Sequence, residues 1–258
     1  MLDKKETSAE LRRTVEGVRK IRRWRKVLPP VIGASTLFLV MLYIVSLLFS
    51  RYGSFTVTVK DYEDRKYAIA LSEQSDFRYS TSHLNAAAAT NITNIDGNDL
   101  PDNLNDVSGV HNGENYLAYT FYVKNTGEVA CAYRYSLIIS RATMGIDAAA
   151  RVRVYFDGDY YKSATDTYRH DGSYTDYAKA KTGGNGLPEI DPDGRVMTNF
   201  QSGDVIVEAE KSGFAPGDMS KVTVVIWLEG NDPDCTDDVL GGQFKVDMTF
   251  EITETADN

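Results

Sequence analysis

The sequence predicts an all-β fold, an antiparallel β-sandwich of jelly-roll type, carried outside a membrane by a single N-terminal transmembrane helix. Three observations predict it. An unbroken apolar run, VIGASTLFLVMLYIVSLLFS (31–50), follows a basic segment. After residue 54 the helical period disappears, and short β-branched and aromatic runs are punctuated by Gly, Asp, Asn and Pro. The last of those runs alternates apolar and polar residues as a half-buried strand does. The composition, 42% hydrophobic and 25% charged over 258 residues, belongs to folded proteins and excludes the disordered and collagenous classes.

Residues 1–28 form a basic cytoplasmic tail, with ten Lys and Arg against four Asp and Glu. The remainder carries 18 against 33, a balance of −15, and the whole chain is at −9, which disfavours general affinity for nucleic acid. Arg19, Lys20, Arg22, Arg23, Arg25 and Lys26 crowd one flank of the apolar run, whereas Arg51 stands alone at the other. By the positive-inside rule the N-terminus stays in the cytosol, and 51–258 form an extracellular domain on a single-pass cell-membrane protein. The span itself occupies 29–50, and the twenty almost wholly apolar residues 31–50 at about 1.5 Å each cover roughly the 30 Å of a bilayer core. A cleavable secretory signal is the rival reading. It normally has a shorter apolar region and small residues before the cut, whereas LLFSRYGSF (47–55) holds no A-x-A pattern, so a retained signal anchor is expected. Leu11, Val15, Val18, Ile21 and Leu28 recur at helical spacing among the basic residues. They read as an amphipathic helix on the anionic inner leaflet, or the charges serve only to set topology. Pro29 and Pro30 separate this segment from the span.

Eight strands are expected: FTVTV (55–59), YAIAL (67–71), YLAYTFYV (116–123), YRYSLII (133–139), VRVYF (152–156), DVIVEA (204–209), VTVVIWL (222–228) and FKVDMTFEI (244–252). In the last, Phe244, Val246, Met248, Phe250 and Ile252 share one face, with Lys245, Asp247, Thr249 and Glu251 on the other. Asp157-Gly158 predicts a two-residue hairpin, because Gly accepts the positive φ of a type I′ turn. Ala215-Pro216-Gly217-Asp218 predicts a turn before the VTVVIWL strand. The Asn-, Asp- and Ala-rich stretch 85–114 and the Gly-, Asp- and Tyr-rich stretch 163–195 are expected to be long loops or insertions at the ends of the sandwich.

The segment VTVVIWLEGNDPDCTDDVLGGQFKVDMTF (222–250) resembles the C-terminal signature of the TasA-like and camelysin-like surface proteins of Gram-positive bacteria. There, a strand ending in W-x-E-G leads through D-P-x-C and a Gly pair to a final strand. The matching positions are Trp227, Glu229, Gly230, Asp232, Pro233, Cys235, Gly241 and Gly242. The resemblance implies a jelly-roll β-sandwich and subunits that associate into fibres of the biofilm matrix by exchanging strands. Precursors of that kind carry a cleavable signal ending in an A-Y-F-T-D-like motif, where this chain has SRYGSFTV (50–57).

Cys131 and Cys235 are the two cysteines, both expected to face an oxidising exterior. A disulfide between them would close a loop of about a hundred residues and contribute roughly 4 to 5 kcal/mol, and two free thiols are the alternative. Asp232, Asp234, Asp237 and Asp238 fall within seven residues and could converge on Ca²⁺, or serve as solvated and turn-forming carboxylates. No other cofactor is suggested. Glu189-x-Asp191-x-Asp193-Gly194 imitates half an EF-hand loop, but Phe200 stands where the closing Glu is needed. His83, His111 and His170 are dispersed, and no H-E-x-x-H, C-x-x-C, G-x-S-x-G, P-loop or S-x-x-K motif occurs, so no enzyme mechanism is expected. LPEID (187–191) is not a sortase signal. Eleven of sixteen tyrosines lie between Tyr116 and Tyr177, as packing over a half-wet sheet or as a recognition platform. The expectation is a membrane-anchored surface protein that works by β-strand association with copies of itself or related subunits. Its alternative is a tethered module that recognises cell-wall glycan or a partner protein.

Overall fold

A computed structural model describes residues 30, 33–44, 55–60, 66–162, 166–167, 172–181, 190–191 and 194–255. The chain divides into two units, Met1–Arg51 and Tyr52–Asn258. In the first, residues 33–44 are helical, and the apolar side chains from Leu37 to Ile44 are between 49% and 74% exposed. Among the described residues no helix is long and apolar enough to cross a membrane. The rest of the expected span, at 29, 31–32 and 45–50, and the basic residues Arg19 to Lys26 lie outside the described residues.

The second unit is mostly β. Its strands are β1 (Phe55–Val59), β2 (Ile69–Ser72), β3 (His83–Ala86), β4 (Gly109–Val110), β5 (Tyr116–Asn125), β6 (Cys131–Ala142), β7 (Ala150–Lys162), β8 (Asp166–Thr167), β9 (Thr175–Ala178), β10 (Thr198–Asn199), β11 (Val205–Phe214), β12 (Met219–Leu228) and β13 (Phe244–Thr255). They form two sheets, in the orders β11-β6-β13-β1-β3 and β10-β9-β7-β12-β5-β2, with β4 beside β5 and β8 beside β7. All eight expected strands are present, most of them longer than the apolar runs that announced them.

The main core lies where the sheets face each other. Val246, Met248, Phe250 and Ile252 of β13 are buried on one face as the alternation predicts, with Phe244 half-buried at the end. They meet Leu117, Tyr119, Phe121 and Val123 of β5 and Val222, Val224 and Ile226 of β12. Edge-to-face aromatic pairs such as Phe121 with Phe250 and Phe55 with Tyr119 fill it, an arrangement that suits the ring quadrupoles.

Three expectations are corrected. The sheets are not wholly antiparallel, since β1 runs parallel to β13 and β10 parallel to β9. The first and last strands of the domain need no hairpin between them, so steric economy does not force them antiparallel. Asp157-Gly158 is not a hairpin turn, because β7 continues through it to Lys162. There the register against β12 shifts between Met219 and Lys221, and the glycine sits in a bulge. The stretch 85–114 is not a free loop. Two 3-10 turns, Gly97–Asp99 and Leu104–Asp106, lay it over the outer face of the second sheet, where Leu100 and Leu104 bury against Ala118, Tyr155, Val225 and Trp227. A polar seam secures it. Asn105 accepts from Thr223 Oγ1 at 2.6 Å through its side chain and from Lys221 Nζ through its carbonyl. The Ala215–Asp218 turn forms as expected, with Gly217 at φ +89° and Asp218 N–H donating to Ala215 O at 2.9 Å. It carries the chain from the first sheet to the second.

Candidate functional site

In β7 the inward Val152 and Val154 alternate with Arg151 and Arg153, which point to the covered outer face of the second sheet. Arg151 is fully buried. Its Nη2 donates to Asp191 Oδ1 at 3.0 Å and to Asp232 Oδ2. Arg153 forks onto Asp176, with Nε to Oδ1 at 2.7 Å and Nη2 to Oδ2 at 2.9 Å. Burial works against the Arg153 charge, but the hydrogen bonds and charge of Asp176 outweigh it and hold the guanidinium above its ordinary pKa. Arg195 binds Glu229 Oε2 at 2.8 Å and Asp191 Oδ2 at 3.1 Å, with Asp96 and Asp176 within 4 Å. Glu229 Oε2 also accepts from Trp227 Nε1 at 3.1 Å and from Gly97 N–H at 3.2 Å. A Cβ at Gly97 would stand 2.0 Å from Arg195 Nη1, so only glycine admits the guanidinium so close.

This cluster contains Trp227, Glu229 and Asp232 of the W-x-E-G and D-P-x-C segment. Trp227, Glu229 and Asp232 fix the end of β12 and the following loop to β7, to Arg195 and to the covering segment. Gly230 N–H donates to Ile95 O at 3.0 Å, which ties the same loop to that segment. Gly241 (φ +78°) and Gly242 turn the chain out of the 3-10 turn Asp237–Val239 into β13, while Pro233 is exposed. Ionic side chains that pair with one another in a site closed to water make a clamp. Arg151, Arg153, Asp176 and Arg195 were not singled out from the sequence. The signal was the alternation Arg-Val-Arg-Val in a strand whose second face would ordinarily be wet.

The carboxylates expected to hold Ca²⁺ do not converge. Asp232 is buried on Arg151, and its Oδ1 accepts from Asp234 N–H at 2.7 Å, whereas Asp234, Asp237 and Asp238 are exposed. Among the described residues no group of three or more His, Cys, Asp and Glu side chains could hold a metal ion. Of the EF-hand-like set, Asp191 serves the clamp, and Glu189 and Asp193 lie outside the described residues. The Cys131–Cys235 disulfide does not form, and both thiols are free. Cys131 starts β6 and receives a hydrogen bond from Asn125, at the Met219 end of β12. Cys235 receives one from Asn94 beyond the other end of that strand. Ten residues of extended chain at about 3.3 Å each separate those ends, far more than a disulfide spans. Burial pushes the Cys131 thiol up to about 11, so it stays protonated at neutral pH.

Several of the described tyrosines prove to be packing. Tyr119, Tyr122, Tyr133 and Tyr155 are buried, and burial raises the phenols of Tyr119, Tyr133 and Tyr155. Tyr135, Tyr174 and Tyr177 instead line a cleft between the sheets.

The remaining feature is an edge. β11 is ten residues long and closes one side of the first sheet, and among the described residues no strand pairs with its outer edge. At one point a side chain imitates the missing neighbour: Gln201 Nε2 donates to Glu208 O at 3.0 Å and Gln201 Oε1 accepts from Glu208 N–H at 2.9 Å. Beyond Lys211 the register with β6 breaks until Phe214, which leaves Ser212 and Gly213 out of the ladder.

No protein-family model and no curated protein matches the chain.

Proposed function

We propose that the chain is a single-pass surface protein whose jelly-roll-like β-sandwich lies outside the cell and works by β-strand association, with a second copy or a related subunit as partner. The observation that carries this reading is the β11 edge. A ten-residue edge strand presents backbone donors and acceptors that another strand can satisfy, and native proteins ordinarily shorten or cover such edges. Gln201 satisfies one residue of it, which marks the edge as open to a pairing group and blunts it against indiscriminate pairing. The signature residues shared with TasA-like and camelysin-like proteins support the same reading, as does the apolar run at 31–50 with its basic flank.

Two measurements test it. Protease added to intact cells should remove the acidic domain and spare a short basic stub; survival of the bulk until lysis would overturn the topology. Sedimentation of the full-length protein in micelles should show concentration-dependent association that Gln201→Ala strengthens, by baring Glu208, and Ser212→Pro weakens. Proline at 212 removes an edge donor without touching the β6 ladder. A protein whose association ignores both substitutions refutes the β11 edge as the contact.

A further inference from the structure

A cleft of about 160 Å³ opens where β6 and β11 of the first sheet face β7 and β9 of the second. A cavity of roughly 150 Å³ is known to take up benzene, so this one has room for one six-membered ring. Its chemistry differs from that of a benzene site. Five of the eight lining side chains carry a hydroxyl, namely Tyr135, Ser173, Tyr174, Thr175 and Tyr177, and the other three are Val154, Phe156 and Val207. None of the eight carries a charge at neutral pH.

The aromatic walls are held in place before any ligand arrives. Tyr135 stacks on Phe156 with ring centroids 4.4 Å apart and planes at 23°. Tyr174 lies over the Arg153 guanidinium at 3.8 Å, and Arg153 is itself fixed by the fork to Asp176. Yet Tyr174 remains 49% exposed, an aromatic ring pinned by a buried ion pair while half of it faces water. Burial pushes the Tyr135 phenol up to about 12, and the nearby Tyr177 phenol opposes its ionisation further, so both stay neutral and able to donate as well as accept. Among the described residues none hydrogen-bonds the Tyr135 hydroxyl.

We propose that this cleft binds one neutral hexopyranose ring of a glycan. A wholly apolar ring would leave the Tyr135 hydroxyl, which no described residue hydrogen-bonds, without a partner, at a desolvation cost. An anionic ring would find no cation among the described lining residues, on a domain segment whose own balance is strongly negative. A pyranose offers what remains: C–H faces to lie against Tyr174 or the Tyr135–Phe156 stack, and equatorial hydroxyls to exchange hydrogen bonds with the rim. Rigid tyrosines supply amphipathic contact area at little entropic cost. The proposal does not depend on association through the β11 edge.

The test is titration by saturation-transfer NMR of the full-length protein in micelles whose detergent has no sugar headgroup. The probes are cellotetraose, chitotetraose, mannotetraose, tetragalacturonate and p-cresol. At least one neutral tetrasaccharide should bind saturably and tetragalacturonate should not. Tyr174→Ala, at a half-exposed position, should weaken that binding about tenfold or more, as loss of an aromatic anchor does. Tyr135→Phe should weaken the sugar several-fold and leave p-cresol unchanged, while Tyr79→Ala, exposed on the β2–β3 connection, should change nothing. Saturation by no neutral sugar overturns the proposal, and so does unchanged sugar affinity in Tyr174→Ala. Tighter binding of p-cresol than of every sugar overturns it as well and assigns the cleft to an aromatic side chain of a protein partner.

Discussion

Replacing Arg151 by Met removes a fully buried guanidinium and keeps most of its volume, so the change isolates the charge. In the wild type Arg151 answers Asp191 and Asp232, which are 1% and 0% exposed. Removing one partner from a buried ion pair costs about 3–5 kcal/mol, because the remaining charge stays desolvated. Arg195 at 3.1 Å from Asp191 and Lys181 at 3.7 Å from Asp232 still face the two carboxylates, which places the loss at the low end, about 3 kcal/mol. For a domain of this size that is a fall of about 6–12 °C in Tm. Urea denaturation monitored through the buried Trp227 gives the free energy directly.

The same variant has a pH signature. Asp191 is already held above its ordinary pKa, chiefly by burial and with Glu229 adding to it, against the pull of Arg151 and Arg195. A carboxyl raised in the folded state contributes most at low pH, and that contribution is lost as pH rises through the raised value. Removing Arg151 takes away one of the groups that lower it, so the window moves upward and the deficit relative to wild type grows from acid to neutral pH. Adding Asp232→Asn should restore part of the loss at neutral pH, since one stranded charge is gone. A deficit below about 1 kcal/mol that does not vary with pH would refute the clamp as a desolvated ionic structure.

Further outcomes follow from neighbouring contacts. Trp227→Phe keeps the ring in the outer core but deletes the Nε1–H bond to Glu229, and should cost about 1–3 kcal/mol by the same denaturation assay. Cys235, partly exposed, should react with a thiol reagent at neutral pH in the native protein, while Cys131 should wait for unfolding; equal native rates would place Cys131 wrongly. Electrophoretic mobility should not depend on reductant. Burial lowers the Lys221 pKa from 10.5 despite Asp106 and Asp157, so between the lowered value and 10.5 the unfolded chain binds the extra proton and stability gains with pH. Lys221→Met should lack that alkaline gain, read as a difference between the two proteins' stability–pH curves.

How much of this was legible in the sequence depends on which face a residue serves. β13 could be read residue by residue, because one face is in the core and the other is partly exposed, and the alternation reports that directly. The runs YLAYTFYV and VTVVIWL carried a further message in their lack of alternation. Strands buried on both faces read as continuous apolar sequence, and β5 and β12 are buried nearly throughout because the 87–115 segment covers their outer side. The cover itself could not be foreseen from its Asn- and Asp-rich composition, since it contributes few side chains, chiefly Ile95, Leu100 and Leu104, to the apolar contact and binds largely through backbone and amide groups. That hidden layer also concealed the clamp. Arg151 and Arg153 look like the solvent face of a strand until the segment that buries them is placed, and their partners Asp176, Asp191 and Asp232 come from three separate stretches of chain. The W-x-E-G and D-P-x-C signature was therefore visible as a pattern before its physical content was. In this chain Trp227, Glu229 and Asp232 work together through the hydrogen bonds and ion pairs of one loop, a role in folding that neither a disulfide nor a bound cation has to supply.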